Sequence, residues 1–168
     1  MRRPWTTIRM AALAAALLVA GTMRAQSATT QATATVVTPL VVTGIAPLAF
    51  GVVYQGVSKT IANNAASSGR LRVTGFGTSQ IRLTVTLPAV LTNGASTMPI
   101  NQYSVRINGV NNIAGGQVFS LVSGNSLVGP LTAGNVYLWV GARVQPSASQ
   151  AFGSYAGSLV LTAVYTGL

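Results

Sequence analysis

The sequence predicts an all-β fold, and three observations carry that prediction. After residue 25 no apolar residues recur at the 3.6-residue helical period, while Thr, Val, Ser and Gly dominate. Several short segments instead alternate apolar and polar residues with period two. Glycine- and asparagine-containing turn signals separate those segments at short intervals: Asn93-Gly94, Asn108-Gly109, Gly115-Gly116, Gly124-Asn125 and Gly134-Asn135. Many short strands joined by such turns argue for a sandwich or barrel.

The amino terminus reads as an address rather than as fold. Arg2, Arg3 and Arg9 precede an apolar run, Met10 to Ala20, which is followed by small and polar residues. That order describes a cleaved secretory signal peptide over residues 1–25. The run falls short of the roughly 20 apolar residues that span a bilayer, and no later stretch supplies a transmembrane segment. Residues 26–35 are small and polar, either a flexible leader or the start of the first strand, and residues 36–168 form a single domain.

Within that domain the strands follow from alternation. Ala32 to Val37, Leu40 to Thr43 and Val57 to Ala62 come first. Leu71 and Val73 then alternate with Arg70, Arg72 and Thr74. Ile81, Leu83, Val85 and Leu87 alternate with Arg82, Thr84 and Thr86, until Pro88 stops the strand. Tyr103, Val105 and Ile107 give another strand, and Val118 to Val122 a further candidate. Val136, Leu138, Val140 and Ala142 alternate with Tyr137, Trp139, Gly141 and Arg143. The last, Ser158 to Tyr165, is apolar on both faces and so reads as central.

The chain holds no Asp, Glu, His or Cys. General acid–base catalysis draws mainly on the first three, and the common metals need imidazole, thiolate or carboxylate ligands. A serine nucleophile lacks its usual base. No catalytic, cofactor or metal residue is therefore assigned, and the chain reads as a non-enzyme. Without cysteine there is neither a disulfide framework nor a lipoprotein anchor. Removal of residues 1–25 leaves six cations, Lys59, Arg70, Arg72, Arg82, Arg106 and Arg143, spread along the sequence. Dispersed cations argue against nucleic acid. They suit either plain solubility or attraction to anionic polysaccharide or lipopolysaccharide.

The order of segments resembles a known family over nearly the whole mature chain. An alternating strand leads into the Leu48-x-Phe50-Gly51 corner. Leu71 to Pro88 follows, and then Thr92-Asn93-Gly94 with Met98. Tyr137 to Tyr165 closes the pattern, with Gly153, Tyr155 and Gly157 before Leu159, Leu161, Ala163 and Tyr165. This resembles the secreted bacterial family called domain of unknown function 4402, and more distantly spore coat protein U and chaperone–usher pilin subunits. The resemblance implies an immunoglobulin-like or pilin-like antiparallel β-sandwich of about seven to nine strands, in a protein that builds surface fibres or coats. The pilin and coat relatives carry a disulfide near their first strands. Here its places fall at Leu40 or a neighbour and at Gly75, so that staple is missing. Tyr165 is also not the penultimate residue.

Three positions or pairs stand out as candidate sites. Tyr137 and Trp139 share one strand face, and form either an aromatic platform for sugar rings or another subunit, or a packed second face. Burial is the commoner fate of strand aromatics. Lys59 reads as a solvated side chain. Arg72 and Arg82 would oppose each other if their strands formed a hairpin, which like charges disfavour. Either those strands lie in different sheets, or the arginines splay apart, or an external anion sits between them.

The expected function is that of an exported structural subunit of a surface appendage, coat or envelope layer, in the periplasm, at the cell surface or outside the cell. Its partners would be neighbouring subunits, joined by strand addition through the leader. The alternative is a monomeric binding module for anionic glycans.

Overall fold

A computed structural model describes residues 30–167. The expected signal peptide and residues 26–29 lie outside the described residues. Residues 30–35 are exposed and form no strand, and residues 36–167 make one compact unit.

That unit is all-β, with ten strands: β1 Val41–Ala46, β2 Lys59–Ile61, β3 Gly69–Thr74, β4 Gln80–Thr86, β5 Val90–Asn93, β6 Ser96–Asn108, β7 Gln117–Ser120, β8 Ser126–Pro130, β9 Asn135–Val144 and β10 Val160–Gly167. Seven form one antiparallel sheet in the order β1-β3-β9-β6-β5, with β2 beside β9 and β7 beside β6. The other three form a second sheet, β10-β4-β8. The inward residues of both sheets make the core. Val73, Val105, Leu138, Val140 and Val144 come from the larger sheet, and Ile81, Leu83, Val85 and Leu161 from the smaller. Glycines at positive φ shape the turns, Gly94 at 58° and Gly134 at 75° among them, because only a residue without Cβ adopts that region freely.

The strand count exceeds the expected seven to nine because short strands escape a periodicity reading. β5 and β8 carry four and five residues, too few to establish a period. The first half of β6 was also hidden. Met98 and Ile100 point inward on even positions, but Tyr103, Val105 and Ile107 do so on odd ones. A bulge between Asn101 and Ser104, with Gln102 at φ 50°, resets the phase.

Two further expectations are corrected. Ala32 to Val37 is not a strand: Val36 is 91% exposed and unpaired. β10 is not central. Among the described residues it pairs with β4 alone, at the edge of its sheet. Its outward Val160 and Val164 remain 51% and 48% exposed, so its two-faced apolarity does not report burial on both sides.

Tyr165 holds the seam between the sheets. Its hydroxyl donates to the Thr38 carbonyl at 2.6 Å and accepts the Phe76 N–H at 2.7 Å. The last strand is thereby tied to the segment leading into β1 and to the β3–β4 connection. Gly75 lies beneath, and a Cβ there would come within 2.6 Å of both the Leu40 side chain and the Tyr165 hydroxyl. Leu40 and Tyr165 thus fill the space assigned above to the missing disulfide.

Candidate functional site

Two surfaces stand apart from the closed core. The first is a cleft of about 960 Å³ beside the seam. It opens between residues 47–55, which follow β1, and residues 151–159, which lead into β10. Its floor is core: Met98, Ile100, Tyr103 and Val144. Pro88 lies at its end, between β4 and β5, where the chain passes from the smaller sheet to the larger. The lips carry exposed apolar groups, with Val52 and Tyr54 each 71% exposed and Phe152 87%.

Polar contacts fix those lips in place. Lys59 Nζ donates to the Val52 carbonyl at 2.9 Å, and Lys59 is half-buried. That bond is exposed, so Lys59 keeps contact with solvent while it holds the carbonyl. In a chain without carboxylates, a backbone carbonyl is the acceptor available to it. On the other lip, the buried Gln150 side chain donates to the Thr97 carbonyl and the Tyr155 hydroxyl and accepts the Ser147 N–H. Gln55 Nε2 spans the lips to the Gln150 carbonyl at 2.6 Å. Tyr103 in the floor donates to the Pro88 carbonyl at 2.8 Å, and burial pushes its phenol up to about 12.

The second surface is the outer face of the seven-stranded sheet. Alternation sends Tyr137 and Trp139 outward from β9, and register decides their neighbours. Arg72 of β3 and Asn108 of β6 flank Tyr137, while Arg70 and Arg106 flank Trp139. The rings are 6.2 Å apart at a tilt of 31°. The loop after β2 crosses this face at Gly141, where Asn63 reaches the Ser104 hydroxyl on β6. Trp139, beside that crossing, is only 5% exposed, whereas Tyr137 is half-buried. Packing therefore takes most of the tryptophan and leaves part of the tyrosine.

The structure brings Arg72 together with Tyr137 and Trp139 but not with Arg82. β3 and β4 belong to different sheets, so the like-charge hairpin does not form, and Arg82 stands between Val164 and Val128 on the other sheet. Sequence reasoning missed Arg70, Arg106 and Arg143 as companions. With Arg72 they place four of the five described arginines on one sheet face, so the dispersion seen in sequence is undone by folding. The signal was there in outward positions of three alternating segments, but which strands are neighbours is not written in the alternation.

Among the described residues no group of three or more His, Cys, Asp or Glu can hold a metal, and no helix is long and apolar enough to cross a membrane. Comparison with known protein-family models gives no match, and neither does comparison with curated proteins.

Proposed function

We propose that this chain is an exported, non-enzymatic structural subunit of a surface appendage, coat or envelope layer, joined to its neighbours by strand addition. The observation that carries this reading is the edge of β10 that pairs with no other described strand, beside an apolar cleft, with residues 30–35 in no strand. A free edge presents unpaired N–H and C=O groups and is a template for another strand. β10 is eight residues long, and the exposed stretch before β1 can match that length. In such pairing the backbone ladder supplies affinity and pockets for alternate side chains supply register. The inventory without carboxylate, imidazole or thiol agrees with a structural rather than a chemical role. The resemblance to coat and pilin families points the same way.

The experiment is size-exclusion chromatography with electron microscopy of residues 26–168, beside a variant lacking residues 26–35, which spares the Thr38 carbonyl that Tyr165 holds. Oligomers or fibres that disappear in the truncated protein, and folded truncated protein that binds a peptide of residues 26–38, are expected. Two identical elution profiles with no peptide binding would sink the proposal.

A further inference from the structure

We infer that the outer face of the seven-stranded sheet binds an acidic polysaccharide, with Arg70, Arg72 and Arg106 holding its acid groups around the Tyr137 ring. Adjacent outward positions on a strand are about 7 Å apart and neighbouring strands about 5 Å. Arg70 and Arg72 are therefore some 7 Å apart along β3, and Arg106 stands about 10 Å across β9 from Arg70. Like charges at such spacing repel, and the chain has no acid with which to neutralise them. Salt screens such charges in the free protein, and a polymer with several acid groups on one chain matches their spread better than one small ion does.

Two of the three arginines are partly enclosed before any ligand arrives. Arg72 and Arg106 are half-buried, and the Nε of each is enclosed without a hydrogen-bond partner. Arg106 Nη1 donates to the Gly116 carbonyl at 3.1 Å, and the Arg106 stem packs against Gly116, where a Cβ would come within 2.8 Å of it. Side chains held this way lose little freedom on binding, and guanidinium matches carboxylate or sulfate in a two-bond fork.

The surroundings choose among polyanions. The outward neighbours include the hydroxyls and amides of Thr43, Thr74, Asn135 and Ser104, with the exposed Val118 beside Arg106 and Val41 beside Thr74. The polar groups suit sugar hydroxyls. Single-stranded nucleic acid draws on several open rings for base stacking, whereas this face offers only part of the Tyr137 ring, with Trp139 5% exposed. The face is the outside of the sheet, whereas the cleft lies between the sheets, so the inference holds whether or not subunits join.

The test uses residues 26–168 with polygalacturonate, neutral dextran and single-stranded DNA. Trp139 is the sole tryptophan after Trp5, so its fluorescence reports binding at this face. Polygalacturonate should change that emission and dextran should not, with affinity falling at least tenfold between about 0.05 and 0.3 M salt as charges are screened. Arg70→Gln and Arg72→Gln should each weaken binding at least threefold, while Arg82→Gln, which removes the same charge, should leave it within about twofold. Because Arg72 is half-buried, amide shifts mapped on the unaltered protein give a second readout, expected at Thr43, Arg72, Asn108 and Tyr137. Equal losses from Arg72→Gln and Arg82→Gln, shifts confined to β10 and β4, or tighter binding of DNA than of polygalacturonate would each overturn the assignment.

Discussion

Gln150 and Ser68 show how differently two buried polar side chains act on stability. Gln150 satisfies the Thr97 carbonyl, the Tyr155 hydroxyl and the Ser147 N–H at once. Ser68 is fully buried, and its Oγ has no partner. A buried polar atom left unpaired costs about 1–3 kcal/mol. Gln150→Leu, which orphans the Thr97 carbonyl and the Ser147 N–H while Tyr155 keeps its bond to the Ala151 carbonyl, is therefore expected to lower unfolding free energy by about 2 kcal/mol, whereas Ser68→Ala should raise it by about 1 kcal/mol. Urea titrations of the two variants check both signs, and a Ser68→Ala variant weaker than its parent would contradict the argument. Neither role is legible in sequence. Gln150 sits in a loop without period, and nothing in Ser67-Ser68 says which hydroxyl is sealed inside.

At the level of elements, alternation located β3, β4, β9 and the second half of β6 because each has one face on the core and one outside. It failed where geometry broke the period. The β6 bulge shifts inward positions by one residue, and β10 is apolar outward as well as inward, which mimicked a central strand. Gly141 marks another such place. On β9 it occupies an outward position of an otherwise regular alternation, yet any Cβ there meets the backbone of Ile61, Ala62 and Asn63 as the loop after β2 crosses the sheet. Backbone cannot swing aside as a side chain can. Gly141→Ala is therefore expected to cost about 3 kcal/mol, the upper end for overpacking, because backbone stands in the way. A midpoint of thermal unfolding within a degree or two of the parent would show that the crossing yields.

The electrostatics of the whole molecule follow from what the sequence omits. Between about pH 4 and 9 the side chains that normally titrate are Asp, Glu, His and Cys, and the chain has none. Stability changes with pH only when folded and unfolded states bind different numbers of protons. Unfolding midpoints at constant ionic strength are therefore expected to stay flat over that range. Tyr103 sets the alkaline limit. Its phenol ionises near pH 10 when unfolded, whereas burial holds the proton to about 12 in the fold. Between those values unfolding releases a proton, so the stability that Tyr103 contributes falls with rising pH, by less than about 3 kcal/mol. Tyr103→Phe should flatten that slope, as chemical denaturation at pH 8, 10 and 11.5 would read. A midpoint that drops between pH 6 and 4 would instead reveal a titrating partner in the native state. This flatness was legible in composition alone. The arginine face was not, because its members come from three strands that only the sheet order makes neighbours.

The Tyr165 hydroxyl also has a mechanical meaning. By joining Thr38 to the last strand, it brings both ends of the folded unit to one end of the sandwich. A pull applied through those ends loads this single bond first. It then peels β1 from β3 at the Val41–Thr74 rung and β10 from β4 at Gln80, rung after rung rather than all rungs together. Unzipping of that kind resists little force. A filament of such units would bear tension only where an added strand along β10 carried the load past the clasp in shear.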